Sequence, residues 1–157
     1  MSWFGVGPKF GIGSVVYAAI AAALQKVYEP VLTLTALPQT TAWIVGAILV
    51  GAGGVVYFLS VIQLRRSFRN GTLHKTGIYS YVRHPIYGAF ILLIVPGLVI
   101  AARSLSGATI PFVMYLVFRT FIGEEDRHLQ DVFGDDYEQY EENVGAILPK
   151  LPVNTDG

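Results

Sequence analysis

The chain has 157 residues, 53% of them hydrophobic and 14% charged, with no net charge. A soluble domain holds about 25% charged residues, so this composition, with a mean hydropathy of +0.52, argues for a multi-pass membrane protein. The neutral balance removes the basic face that nucleic-acid binding needs, and the absence of cysteine excludes thiolate chemistry and Cys-based metal centres.

Charge is segregated along the chain. Nine of the eleven acidic residues lie between Glu124 and Glu142, and five of the eleven basic residues lie between Arg65 and Arg83. Trp3, Phe4 and Lys9 read as an interfacial lead-in to a first apolar run over 10–24, which ends at Lys26 and Glu29-Pro30. A signal peptide is the rival reading of that run, but the basic n-region is missing, so a retained helix over 10–28 is expected. Residues 31–40 read as a loop. Residues 41–64 carry no charge and exceed the ~20 helical residues that span a hydrocarbon core. Trp43 near one end suits an aromatic belt. Gly46, Gly51, Gly53 and Gly54 interrupt this second helix and suit close helix packing; backbone approach to a ligand is the alternative.

A basic loop follows, with Arg65, Arg66 and Arg69 before an Asn70-Gly71 turn. The third helix is predicted over 86–102, kinked at Pro96, and the fourth over 108–131, with Pro111 in its first turn. Both apolar runs are short for a span, which predicts a tight hairpin between them. Leu129 and Phe133, then Tyr137, Tyr140 and Val144, recur at helical spacing. Gly134 suits a helix C-cap, and Asp135 with Glu138 suits a capping box. The expected architecture is therefore all-α: about four transmembrane helices, then two short amphipathic helices in a C-terminal segment over 124–157. Nine Lys and Arg residues fall on the side of both termini and two on the other, which predicts cytoplasmic termini.

Chemistry concentrates in two places. Residues 77–88, Gly-Ile-Tyr-Ser-Tyr-Val-Arg-His-Pro-Ile-Tyr-Gly, stand at the entrance to the third helix. Pro85 keeps His84 out of the α region, and Tyr81 and Tyr87 flank the Arg83-His84 pair. As single residues, Arg83 is explained by a positive-inside anchor and His84 by an interfacial hydrogen bond; together they form a fixed set of donors and aromatic faces. Glu124-Glu125-Asp126 stand at the cytoplasmic end of the fourth helix, where carboxylates oppose the helix dipole. Arg119, inside the apolar run, is a functional candidate or a snorkelling anchor.

These two clusters carry a resemblance. The sequence resembles the isoprenylcysteine carboxyl methyltransferase and phospholipid methyltransferase superfamily of integral-membrane enzymes, over about residues 45–150. Gly77, Tyr79, Arg83, His84, Pro85 and Tyr87 match its pattern before a transmembrane helix. Leu129, Phe133, Gly134, Tyr137 and Tyr140 match the pattern after it, and Pro149 suits the closing proline. Ile78 stands where proline is frequent. The family's Glu-Glu pair falls on Glu125 and Asp126 when counted from Phe133, and on Glu124 and Glu125 by identity; Glu125 belongs to both.

The resemblance implies S-adenosylmethionine as cofactor, held between the last two helices and the C-terminal segment. Tyr81, Arg83, His84, Pro85, Tyr87, Glu124 and Glu125 are the cofactor-binding candidates, and Arg83, Arg119 and Glu125 the catalytic ones, with no metal. It also implies a lipophilic acceptor from the bilayer, of prenylcysteine-carboxylate or phospholipid-amine type, and brings Gly51 and Gly53 to the cofactor side. A sterol-reductase-like oxidoreductase and a four-helix transporter or assembly protein are the rivals. None of the four apolar runs contains an acidic residue, which argues against proton-coupled export.

Overall fold

Two of the uncharged runs fold into helices long and apolar enough to cross a bilayer. The computed structural model describes residues 7–29 and 31–150; the lead-in at Trp3 and Phe4 lies outside the described residues. Helix α1 is Gly7–Val27 and α2 is Gln39–Asn70. A continuous apolar helix, α3, spans Pro85–Ala101. Helix α4 is Ile110–Phe133 and α5 is Asp135–Asn143. The described residues contain no β-strand, only isolated bridges.

Helix α2 runs six residues past its expected end. Arginine is a good helix former, nothing from Arg65 to Arg69 breaks the helix, and it stops only where Gly71 turns left-handed at φ +64. The basic segment expected as a loop is thus a helix end that carries the exposed Arg65, Arg66 and Arg69.

Pro96 changes α3 in a specific way. Proline has no N–H, and its ring collides with the carbonyl four residues back. The helix answers by widening: Ala89–Ile94 is π-helical, and the Val95 N–H reaches the Phe90 carbonyl, five residues back. Regular α geometry resumes over Val95–Ala101.

The helices pair differently from the expected hairpin. Helix α2 lies along α3, and α1 along α4, while α3 and α4 touch mainly through the π turn. Missing side chains allow the first pairing. A Cβ on Gly46 would lie 2.6 Å from the Gly97 carbonyl oxygen, and one on Gly53 would lie 2.6 Å from Ile94 Cγ1. Gly51 and Gly54 face open space. Gly53 therefore packs against α3, and a Cβ on Gly51 would meet none of the described residues within 4 Å. Helix α4 buries Met114, Phe118 and Ile122, each four residues from the last. These meet Phe10 of α1, Ile91 of α3 and Ile147 of the C-terminal segment in one core.

At the end of the bundle away from residues 77–84, Arg103 adopts φ +51 and clasps the α1–α2 loop. Its Nε donates to the Leu34 carbonyl at 2.7 Å, and its own carbonyl accepts from the Leu34 N–H at 2.8 Å. Gln25 Oε1 accepts from Ser104 and Ser106 at 2.8 and 2.9 Å.

The C-terminal helices also differ from expectation. Leu129 and Phe133 belong to the last turns of α4, so among the described residues the C-terminal segment holds one separate short α-helix, α5. Its N-cap is Gly134, at φ +54 and ψ −133, and no side chain caps it. Asp135 is therefore the first helical residue, where its charge complements the helix dipole. Tyr137 and Tyr140 form the buried face as expected, while Val144 has left the helix in an extended conformation.

Candidate functional site

The stretch before α3 is fixed from both sides. Gly77 takes φ +64, and a Cβ there would strike the Gln63 side chain, whose Oε1 accepts from the Ile78 N–H at 3.2 Å. A single 3₁₀ turn, Gly77–Ser80, then buries Tyr79. Residues 144–147 run beside the next segment as a strap. The Arg83 N–H donates to the Gly145 carbonyl, and the His84 N–H to the Ala146 carbonyl, both at 2.8 Å. Pro85 follows, fully buried in the first turn of α3, and His84 is held at φ −123, ψ 60, outside the α region.

Onto this frame α4 brings two adjacent carboxylates. Asp126 Oδ1 lies 2.8 Å from His84 Nε2 and 3.0 Å from an Arg83 terminal nitrogen. The Tyr137 hydroxyl links the same two groups: it accepts from Arg83 at 2.8 Å and donates to Asp126. Arg83 also donates to the Val144 carbonyl at 3.1 Å and pairs with Glu141 at 2.9 Å. Glu125 faces a different side. Its Oε2 accepts from the Tyr87 hydroxyl at 3.1 Å, and its Oε1 lies 3.8 Å from His84 Nδ1, beyond hydrogen-bond reach. Tyr140 completes the frame by donating to the Tyr79 carbonyl at 2.6 Å.

The electrostatics follow from this wiring. Burial alone would raise the Asp126 carboxyl pKa, but the bonds from His84 and Tyr137 and the charge of Arg83 hold it below the ordinary carboxylate range. Burial works against the Arg83 guanidinium, but Asp126, Tyr137 and Glu141 outweigh it and raise its pKa. Burial, then the adjacent Asp126, pushes the Tyr137 phenol upward, so it remains a donor. Burial raises the Tyr140 phenol to about 12.

A cavity of about 1420 Å³ opens between the α1–α4 and α2–α3 pairs. Its wall is largely apolar, from Phe10 and Ala18 to Phe90 and Met114; Arg83, His84, Tyr87 and Glu125 line one end, and Gln25, Lys26 and Glu29 line the other. The rings of Phe10, Phe118 and His84 surround Tyr87, with centroids 5.1, 5.4 and 6.1 Å away.

Arg83, His84, Pro85, Tyr87 and Glu125 thus come together on this wall. Tyr81 is 67% exposed and Arg119 is exposed, and neither lines the cavity. Glu124 is exposed as well, so the carboxylates facing the cluster are Glu125 and Asp126, the pair obtained by counting back from Phe133. The sequence-based candidates missed Tyr137 and Glu141, which hold Arg83. They stand one helical turn apart on the face already marked by Tyr137, and that spacing was the available signal.

A family model described as the isoprenylcysteine carboxyl methyltransferase (ICMT) family matches residues 40–131. The chain is 32% identical over 114 residues to a probable protein-S-isoprenylcysteine O-methyltransferase of Oryza sativa subsp. indica, covering 67% of this chain and 60% of that protein. It is 30% identical over 95 residues to a protein-S-isoprenylcysteine O-methyltransferase of Schizosaccharomyces pombe, covering 60% and 40% respectively. It is 38% identical over 72 residues to methanethiol S-methyltransferase 1 of Bradyrhizobium diazoefficiens, covering 46% and 24%. The chain spans about half the length of the isoprenylcysteine methyltransferases it matches. No solved structure matches it significantly. The family model covers more than half of the chain, including the Arg83-His84-Pro85 stretch and both carboxylates of the cluster, and the chain belongs to the isoprenylcysteine carboxyl methyltransferase family.

Proposed function

We propose that this protein is a membrane methyltransferase that uses S-adenosylmethionine to methylate a lipophilic acceptor. The observation that carries the reading is Glu125: a carboxylate on the wall of an aromatic, largely apolar cavity, paired with the Tyr87 hydroxyl and, among the described residues, with no Lys or Arg within salt-bridge distance. Such a site suits a cationic ligand. The carboxylate would hold an ammonium by a charge-assisted hydrogen bond, and the Tyr87 face, which lines the cavity, would stabilise a sulfonium by cation–π contact. When bound, S-adenosylmethionine supplies a methyl group on a positively charged sulfur. The residues of this chain would align the cofactor and keep water out.

Arg83 takes a supporting role in this reading. Its donors are engaged by Asp126, Tyr137, Glu141 and the Val144 carbonyl, so it fixes the His84 frame rather than reaching for a ligand. Asp126 serves the same frame from behind the wall. The cavity exceeds the ~300–1,000 Å³ of a single small-molecule site, which leaves room for both a cofactor and a hydrocarbon chain. We place α1, α2, α3 and the part of α4 up to Gly123 as four membrane crossings with both termini in the cytoplasm, which puts the Glu125 end of the cavity at the cytoplasmic face. The acceptor would enter laterally between α1 and α2.

Titration calorimetry of detergent-purified protein with S-adenosylhomocysteine tests the cofactor half; an absence of heat sinks it. Incubating membranes with isotope-labelled cofactor and analysing the lipid fraction by mass tests the acceptor half.

A further inference from the structure

Helix α3 meets two demands on different sides. Its C-terminal half packs on α2, with Gly97 and Gly46 backbone to backbone. Its N-terminal turn presents Tyr87 to Glu125 and Phe118 of α4 and to Phe10 of α1. The π turn over Ala89–Ile94 lies between them, and it is seated on α2 where Gly53 leaves no room for a side chain against Leu93 and Ile94.

A π turn contains about one residue more than an α turn, so it rotates the two flanks of a helix relative to each other by about 100°. If these residues were regular α-helix with Gly97 kept on Gly46, Tyr87 would turn away from Glu125 by that angle. Pro96, two residues past the turn, makes the regular alternative costly. We infer that the π turn, with Pro96 behind it, is a phase-setting device that positions Tyr87 and His84 opposite the α4 carboxylates. The inference rests on the cofactor reading for its functional consequence but not for its geometry.

The test uses two full-length variants with opposite expectations. Deleting Leu92 together with Pro96→Ala removes the extra residue and lets α3 become a regular helix with both faces still in phase. Inserting one alanine after Leu92 adds a further rotation. Affinity for S-adenosylhomocysteine should stay within threefold of the parent in the first and fall at least tenfold in the second, with thermal unfolding followed for both. Equal loss in the two variants, whether of affinity or of folded protein, overturns the inference, as does full affinity in both. A second readout works without any ligand. The chain has no native cysteine, so Tyr87→Cys with Glu125→Cys can be bridged by a short bismaleimide. Bridging is expected in the parent and deletion backgrounds and not in the insertion background; the same yield in all three overturns the phase argument. If the parent binds no S-adenosylhomocysteine yet bridging follows this pattern, the functional reading fails and the positioning stands.

Discussion

Asp126 has two nitrogen-bearing neighbours, the Arg83 guanidinium and the His84 ring, and a tyrosine hydroxyl that ties one of them to it. The Arg83 and His84 side chains are 9% and 4% exposed and that of Asp126 is 15% exposed, so removing the carboxylate strands largely buried donors. Asp126→Ala should destabilise the protein by about 3 kcal/mol, the low end for breaking a buried pair, measured by denaturant unfolding in micelles. Because the folded-state pKa is depressed, the contribution of Asp126 is fully present above the unfolded-chain value of about 3.9 and is lost as pH falls through the lower folded value. The melting temperature of the parent should therefore drop more between pH 5 and pH 2 than that of Asp126→Asn. Glu125 predicts a different phenotype, because it faces the cavity. Glu125→Gln should weaken S-adenosylhomocysteine binding roughly 10- to 100-fold, the range of one lost hydrogen bond to a charge, while Glu124→Gln stays within about threefold. Residue types alone could not separate these three carboxylates. Their spacing from Phe133 selects Glu125 and Asp126, the two that lie beside His84 and Tyr87, but which of the two reaches the cavity depends on the helix rotation that packs Phe118 and Ile122 inward. Tyr81 and Arg119 were plausible by proximity in sequence and fall on outward faces for the same reason.

At the level of helices, uncharged runs were enough to locate α1 and α2, and prolines marked the first turns of α3 and α4. Partners were harder to read. In a bilayer, an apolar face packed on protein and one packed on lipid have the same composition, so the sequence did not reveal that α2 rather than α4 is the main partner of α3. The glycines held that information, but only two of the four in α2 express it. Gly53→Ala should cost roughly 1–3 kcal/mol by overpacking against Leu93 and Ile94. Gly51→Ala, facing open space, should be neutral or stabilising by up to about 1 kcal/mol. Unfolding of the two variants side by side checks this; equal losses would mean that α2 is packed on both faces.

Across the whole molecule, the polar site is assembled from segments far apart in the chain: residues 77–87, the end of α4, α5 and the strap over 144–147. The strap is the thinnest of these, yet it carries the backbone acceptors for Arg83 and His84 and inserts Ile147 into the core. A side chain at Gly145 would collide with the Leu148 carbonyl, so the tight bend there tolerates only glycine. Ending the chain after Asn143 should leave helix content by circular dichroism nearly intact and abolish S-adenosylhomocysteine binding. Normal binding by that truncation would remove the strap from the site. The arrangement also imposes an order on biogenesis. Chains emerge and fold from the N-terminal side, so all four long helices are made before the strap exists. Until then Arg83 and His84 lack their backbone partners and the carboxylates of α4 have no fixed counterpart. On the proposed reading, a nascent chain would be integrated first and able to bind the cofactor only once the strap over 144–147 has docked on Arg83 and His84.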